Sequence, residues 1–326
     1  MAQAATFNIG SNREDVLQGF TMVEPEATPM LSMLKKGRAP KASYTEWVVD
    51  DLSDPVLTAV EEGTDVSSFA NPGVNRARIG NHVQRQDRAW SVSDLEELVE
   101  DAAVANQVAT AKSKKLIELR RDMAAVIGSD QANVAGGSGS AAKARGLGQW
   151  ILNSAQASNP VPAGYRTPAA SINTTAAASF AESDVNGVLE SIYSQTGSLD
   201  NFKLFAGTSL KKEFSDFSRV GQANGSYRTN EDISTNKITK NVLRYEGDFG
   251  TLDIVTDLFL AKDGTAASQG MRGYVINPDL VELAFADGPS HYDLEDEGGG
   301  PRGFYKAWYT LRVRNPLGLG KFAATA

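Results

Sequence analysis

Between Ser93 and Gly128 apolar residues recur three and four apart, through Leu95, Leu98, Ala102, Ala105, Ala109, Leu116, Leu119, Met123, Val126 and Ile127. That spacing lines one face of an α-helix. Ser93 with Glu96 three residues on forms a capping box, and Gly128 supplies the stop. Charge agrees with the helix dipole: Glu96, Glu97, Glu100 and Asp101 come early, Lys114, Lys115, Arg120 and Arg121 late. Lys112 and Ser113 interrupt the stripe once. At about 1.5 Å per residue the helix would extend roughly 50 Å, long for a chain of this size. Its middle is rich in alanine, so another backbone can approach closely. The pattern is that of a spine rather than of one member of a bundle.

What precedes the helix reaches outward. From Met1 to about Ala42 no helix or strand period is sustained; Pro25, Pro29, Pro40 and Gly37 punctuate the segment, with one apolar patch at Met30 to Leu34. Such a stretch cannot bury enough apolar surface alone. It reads as an extended arm lying on something else, or as a disordered leader. Tyr44 to Val49 has the aromatic and β-branched content of a strand. An acidic, turn-rich stretch follows, with Asp50, Asp51, Asp54, Glu61, Glu62 and Asp65. The chain returns through Ala77, Ile79 and Val83 among Arg76, Arg78, His82 and Gln84, with Arg85 and Arg88 beyond. This predicts a long two-stranded excursion over 44–90, acidic outbound and basic inbound. Isolated hairpins are marginal in water. Segregated charge would steady this one against a complementary neighbour, whereas pairing across its own strands would leave it solvated.

After Gly136–Ser140 short helices (Asp184 to Tyr193, Leu210 to Phe217) mix with short strands around Leu252 to Leu258, Tyr274 to Ile276 and Leu283 to Phe285. The last strand runs from Tyr305 to Arg314, with Tyr305, Ala307, Tyr309, Leu311 and Val313 on one face, until Asn315-Pro316 ends it. No fixed-period repeat is present, so the class is α+β with a discontinuous sheet. The 326 residues suit about two domains. No apolar run approaches a membrane span, and the opening residues lack the basic and apolar blocks of a signal peptide.

Catalytic constellations are sparse. Cysteine is absent, which removes disulfide scaffolds, thiolate metal sites and cysteine nucleophiles together. The net charge of −8 argues against a surface built to grip nucleic acid. Gly298 to Gly303 fits G-x-G-x-x-G in form, but the acidic run Asp293 to Glu297 precedes it and a strand follows. A phosphate site needs the opposite: a helix N-terminus and no negative charge. As a calcium loop the run fails, because Phe304 stands where the bidentate glutamate belongs. His82 and His291, the two histidines, have no partner at recognisable spacing. The basic cluster of Lys112, Lys114, Lys115, Arg120 and Arg121 reads as a solvated or inter-subunit face. The expectation is a protein with no enzymatic activity, cofactor or metal.

The order of arm, long hairpin, spine helix, α+β domain and returning strand resembles the major capsid proteins of tailed bacteriophages. Stretches that carry the likeness are Thr28 to Gly37, Tyr44 to Trp47, Glu62-Gly63, Arg88 to Ser93, Tyr245 to Gly250, Val275 to Pro278 and Leu311 to Pro316. The resemblance implies the Hong Kong-type phage capsid fold, with an N-arm over 1–43, an E-loop hairpin over 44–90 and a P-domain spine helix over 91–145. An A-domain over 146–303 and a C-terminal P-domain strand over 304–326 complete it. It further implies hexamers and pentamers of this chain tiled into an icosahedral head around double-stranded DNA. Portal, scaffolding and decoration proteins would be partners, the virion its location, and the host bacterial cytoplasm the place of assembly. The alternative is an encapsulin-like compartment, which shares the fold. Arg76, Arg78, Arg85 and Arg88, with Glu46, Asp50, Asp51, Glu61 and Glu62, are the expected subunit-interface residues. Relatives that crosslink use an E-loop lysine; none lies between Lys41 and Lys112, so no isopeptide mesh is expected. No N-terminal scaffolding domain is evident, which predicts a separate scaffolding protein.

Overall fold

The computed structural model describes residues 27–323 apart from 68, 70, 72, 100–105, 218–230, 233–236, 239–241 and 262–269. In chain order come α1 (Pro29–Met33), β1 (Lys35–Lys36), β2 (Tyr44–Val49), β3 (Ala77–His82), β4 (Gln84–Ser91), α2 (Asp94–Leu98) and α3 (Gln107–Gly128). Next are α4 (Leu147–Trp150), β5 (Ile172–Asn173), α5 (Glu182–Thr196), β6 (Lys203–Ala206), α6 (Thr208–Phe217), β7 (Glu231–Asp232) and β8 (Lys237–Ile238). The chain continues through β9 (Arg244–Gly247), β10 (Gly250–Thr256), β11 (Arg272–Ile276), β12 (Val281–Leu294), β13 (Arg302–Val313) and β14 (Gly320–Ala323). The strands form a sheet ordered β1-β12-β13-β4, a larger one ordered β5-β14-β11-β6-β10-β9, and the pairs β2-β3 and β7-β8.

The chain divides into two compact units. One contains Asp87–Leu119 and Pro289–Lys306; the other contains Ala27–Gln86, Arg120–Gly288 and the chain from Ala307 onward. The larger unit's core forms where α5 and α6 cover the six-stranded sheet. Val185, Val188, Leu189 and Ile192 of α5 and Leu210 and Phe214 of α6 meet Leu204, Leu252, Ile254, Val275 and Phe322 of the strands. Helical spacing puts each helix's apolar residues on one stripe, and burying that stripe is what stabilises helices this short. Gly197, left-handed at φ +71°, closes α5. In the smaller unit Trp90 and Val92 are buried, and Val92 N–H donates to Pro301 O at 3.0 Å.

The single helix expected from Ser93 to Gly128 is not continuous. Ser93 caps α2, accepting from Leu95 N–H at 3.3 Å, but Val99 is already extended at φ −90°, ψ 134°. The physical reason is visible in the stripe: Leu95, Leu98 and Val99 are all exposed, so nothing among the described residues packs on this end. Propensity alone does not hold so short a helix. In α3, by contrast, Leu119, Met123 and Ile127 are buried, and Tyr274 O–H donates to the terminal Gly128 O at 2.8 Å. Its 22 residues make a rod of about 33 Å.

The apolar patch of the arm rests on the protein's own larger unit. Met30 and Leu34 are buried, and Met30 N–H donates to Asp257 Oδ2 at 3.1 Å. β1 then pairs in parallel with β12, Lys35 opposite Glu282. Met1–Glu26, the rest of the expected arm, lies outside the described residues.

Candidate assembly surface

β2 and β3 pair antiparallel, Tyr44 opposite His82 and Val49 opposite Ala77. The expected hairpin extended its returning strand to residue 90. Instead pairing with β2 stops at His82; Val83 N–H turns to Ser43 O, and the chain passes into β4 of another sheet. The outgoing loop is therefore the long chain from Asp50 to Arg76.

The root of this hairpin is tightly held. Trp47 donates its indole N–H to Val313 O at 2.9 Å. Its ring lies 5.5 Å from that of Trp150 and 5.9 Å from the Arg312 guanidinium, while Arg145 sits 4.6 Å over the far Trp150 ring. Asn81 is wholly buried. Its Nδ2 donates to Leu311 O at 2.8 Å and to Arg145 O at 3.3 Å, and its Oδ1 accepts from Arg145 N–H at 2.7 Å. Gly80 is required by contact, since a Cβ there would come within 2.7 Å of Thr45 O and the Tyr44 ring. Tyr165 O–H donates to Asn75 O at 2.5 Å where the loop returns to β3.

Beyond that clamp the loop is bare. Leu52, Val56, Leu57, Val60, Val66, Phe69 and Val74 are each between 71% and 97% exposed. Monomeric proteins seldom show so much apolar side chain in one place without a partner. Six carboxylates precede the first base, Arg76. The loop is thus apolar, acidic and uncovered by the described residues of its own chain.

The expected interface residues fall in three places. Arg76 Nε meets Asp50 Oδ2 at 2.9 Å, and Arg78 stands 4.0 Å from Glu46 across the strands. Arg85 and Arg88 are on β4, Arg85 with its guanidinium 6.0 Å from the Trp308 ring. Asp51, Glu61 and Glu62 are exposed in the loop. Asn81 was not anticipated, although the sequence carries its signal: it shares strand parity with Ile79 and Val83, a polar residue on an apolar face. Arg145 likewise gave no sign; it is buried beside Trp150, its Nη2 donating to Ser158 O and Asn159 O, and burial pushes its guanidinium down to about 10.

The glycine run has a local explanation. Asp296 Oδ1 accepts from Gly298, Gly299 and Gly300 N–H at 2.8, 3.0 and 3.0 Å, bonds that hold this carboxyl below the usual range. The amides a phosphate would need are already taken by a carboxylate. Gly300 sits at φ +101°, with a Cβ position 2.3 Å from Val92 O, so only glycine fits. His82 packs against Tyr44 at 4.7 Å between ring centroids, and burial lowers its pKa. In the basic cluster Lys112 pairs with Asp293 at 3.2 Å and Lys115 with Glu118 at 2.7 Å. Among the described residues no helix is long and apolar enough to cross a membrane.

Comparison with solved structures finds the same fold in virus-like shells. A chain described as the capsid of a native GTA particle superposes with a TM-score of 0.64 at 15% identity, covering 99% of this chain and 100% of that one. One from Mycobacterium phage Ogopogo gives 0.61 at 11% identity over 99% and 100%, and one from Gordonia phage Cozz 0.59 at 13% over 97% and 92%. No curated protein sequence matches. The family model described as SU10 major capsid protein matches residues 2–326, essentially the whole chain. The protein with the clamped hairpin and the bare acidic loop therefore belongs to the SU10 major capsid protein family.

Proposed function

We propose that this capsid protein builds an icosahedral tailed-phage head of hexamers and pentamers that encloses double-stranded DNA. The observation that carries the reading is the loop from Asp50 to Arg76, whose exposed apolar side chains find no cover among the described residues of their own chain. In a shell each copy would lay that loop on a neighbour. Burying a large apolar side chain gains about 1.5–3 kcal/mol, so the loop offers roughly 10 kcal/mol before ordering costs. Asp51, Glu61 and Glu62 would face basic groups of the neighbouring copy, and Arg85 and Arg88 acidic ones, setting register. Arg76 and Arg78 would hold the loop's base through Asp50 and Glu46 while presenting their outer edges to the same interface. An acidic subunit suits a container whose DNA must later leave, since tight phosphate neutralisation would oppose release. Portal, scaffolding and decoration proteins are the partners such a head requires, with assembly in the host bacterial cytoplasm. The encapsulin alternative is not favoured, because the family and the structures compared are phage-type capsids.

Electron microscopy of the purified chain, with a scaffolding protein if required, tests this. Wild type should give closed polyhedral particles. A Val56→Ser, Leu57→Ser, Val60→Ser variant should keep the circular dichroism spectrum and unfolding midpoint of the free subunit yet give no particles. Normal particle yield from that variant would refute the role assigned to the loop.

A further inference from the structure

In the smaller unit one imidazole nitrogen has two competing claimants. Trp90, near the end of β4, donates its indole N–H to Nε2 of His291 at 3.2 Å. That same Nε2 lies 3.4 Å from Oδ1 of Asp293, two residues along β12. Trp90 requires a lone pair on Nε2, whereas Asp293 requires a proton there, and one nitrogen cannot supply both.

The surroundings define both states. Lys112 of α3 reaches Asp293 Oδ1 at 3.2 Å, and its ammonium stands 5.0 Å from the centre of the Trp90 ring. Tyr305 of β13 packs on the imidazole at 4.9 Å between ring centroids, and the Trp90 and His291 rings stack at 5.8 Å. Gly303 keeps β13 close, since a Cβ there would come within 3.1 Å of both His291 Nε2 and the Trp90 ring. Among the described residues, the charged and titratable groups facing His291 are Asp293 on its own strand, Lys112 from the helix and Tyr305 from the opposite strand. When the imidazole is neutral with its proton on Nδ1, Trp90 is satisfied and Lys112 alone neutralises Asp293. When it is protonated, Nε2–H turns to Asp293, Lys112 shares that carboxylate with a second cation, and the buried Trp90 indole loses its acceptor. A buried donor left unmade is costly, so the second state loosens the contact of Trp90 with His291 across β13.

We propose that His291 is a proton-operated toggle, exchanging Trp90 for Asp293 as its Nε2 partner and so making the packing of the unit formed by Asp87–Leu119 and Pro289–Lys306 sensitive to pH. Imidazoles change charge within about pH 5–8, which sets the range to search.

The test is tryptophan emission of the full-length chain, read as the difference between wild type and Trp90→Phe so that Trp47, Trp150 and Trp308 cancel. Between pH 8 and 5 the difference emission should change in one step, because protonation both removes the indole's acceptor and places an imidazolium beside its ring. The step should vanish in His291→Gln. A flat difference signal in wild type, or the same step in His291→Gln, would overturn the proposal.

Discussion

Replacing Asn81 by alanine should separate the hairpin from the body it stands on. The side chain is wholly buried and joins β3 to Leu311 of β13 and to both backbone groups of Arg145, through bonds of 2.8, 3.3 and 2.7 Å. Alanine leaves Leu311 O, Arg145 O and Arg145 N–H facing a small cavity without partners. Each buried polar group so orphaned costs about 1–3 kcal/mol, and the 3.3 Å bond is the weakest of the three. The expected loss is about 3–5 kcal/mol, a large fraction of the 5–15 kcal/mol typical of a folded domain. Asn81→Asp is the informative control. It keeps the acceptor for Arg145 N–H but turns a second acceptor, in a buried and charged group, toward two carbonyls. It should be no better than alanine. The assay is urea unfolding of unassembled subunits at low concentration, since assembly would add stability by mass action. A lowered midpoint at unchanged slope is the predicted result. A loss below about 1 kcal/mol, or an aspartate variant as stable as wild type, would refute the claim that Asn81 anchors the hairpin.

Two further outcomes are expected. Asp257 is wholly buried, accepting from Met30 N–H at 3.1 Å and Phe259 N–H at 2.9 Å, and burial raises its carboxyl above the usual range. The folded state then holds this proton more tightly than the unfolded chain, so Asp257 contributes stability at low pH that is lost as pH rises through the raised value. Wild type should accordingly lose stability relative to Asp257→Asn as pH rises above the ordinary carboxylate range; a gain in that direction contradicts the assignment. Denaturing gels of mature particles should show monomers, because no lysine lies between Lys41 and Lys112; covalent ladders would contradict that reading.

Elements with strong periodicity were legible in the sequence. β2, α6, β11 and β13 lie where alternation or helical spacing put them, and α5 differs from its expected span by a few residues at each end. The long helix breaks because periodicity records which residues could face a partner, not whether the chain supplies one; Leu95 and Leu98 have none among the described residues. The hairpin was overextended at its basic end for a related reason. Ile79 and Val83 share one parity across the end of β3, and no turn residue from His82 to Gln84 marks that Val83 hands the strand from one sheet to another. The candidate surface was legible as a charge pattern, but its exposed apolar residues were not. Val56, Leu57 and Val60 look like core in a sequence and become informative only when the fold leaves them outside. Arg145 and Asp257 were invisible because their roles arise from contacts with residues distant in sequence.

The central claim is that the loop from Asp50 to Arg76 acquires its burial from another copy of the chain. Amide hydrogen exchange over this loop, in free subunits and in assembled particles, measures that most directly. Peptides covering 50–67 should exchange at nearly unprotected rates in the subunit and slow markedly in the particle, while β2 and β3 stay protected in both. A loop already protected in the free subunit, or still unprotected in the particle, would contradict the account.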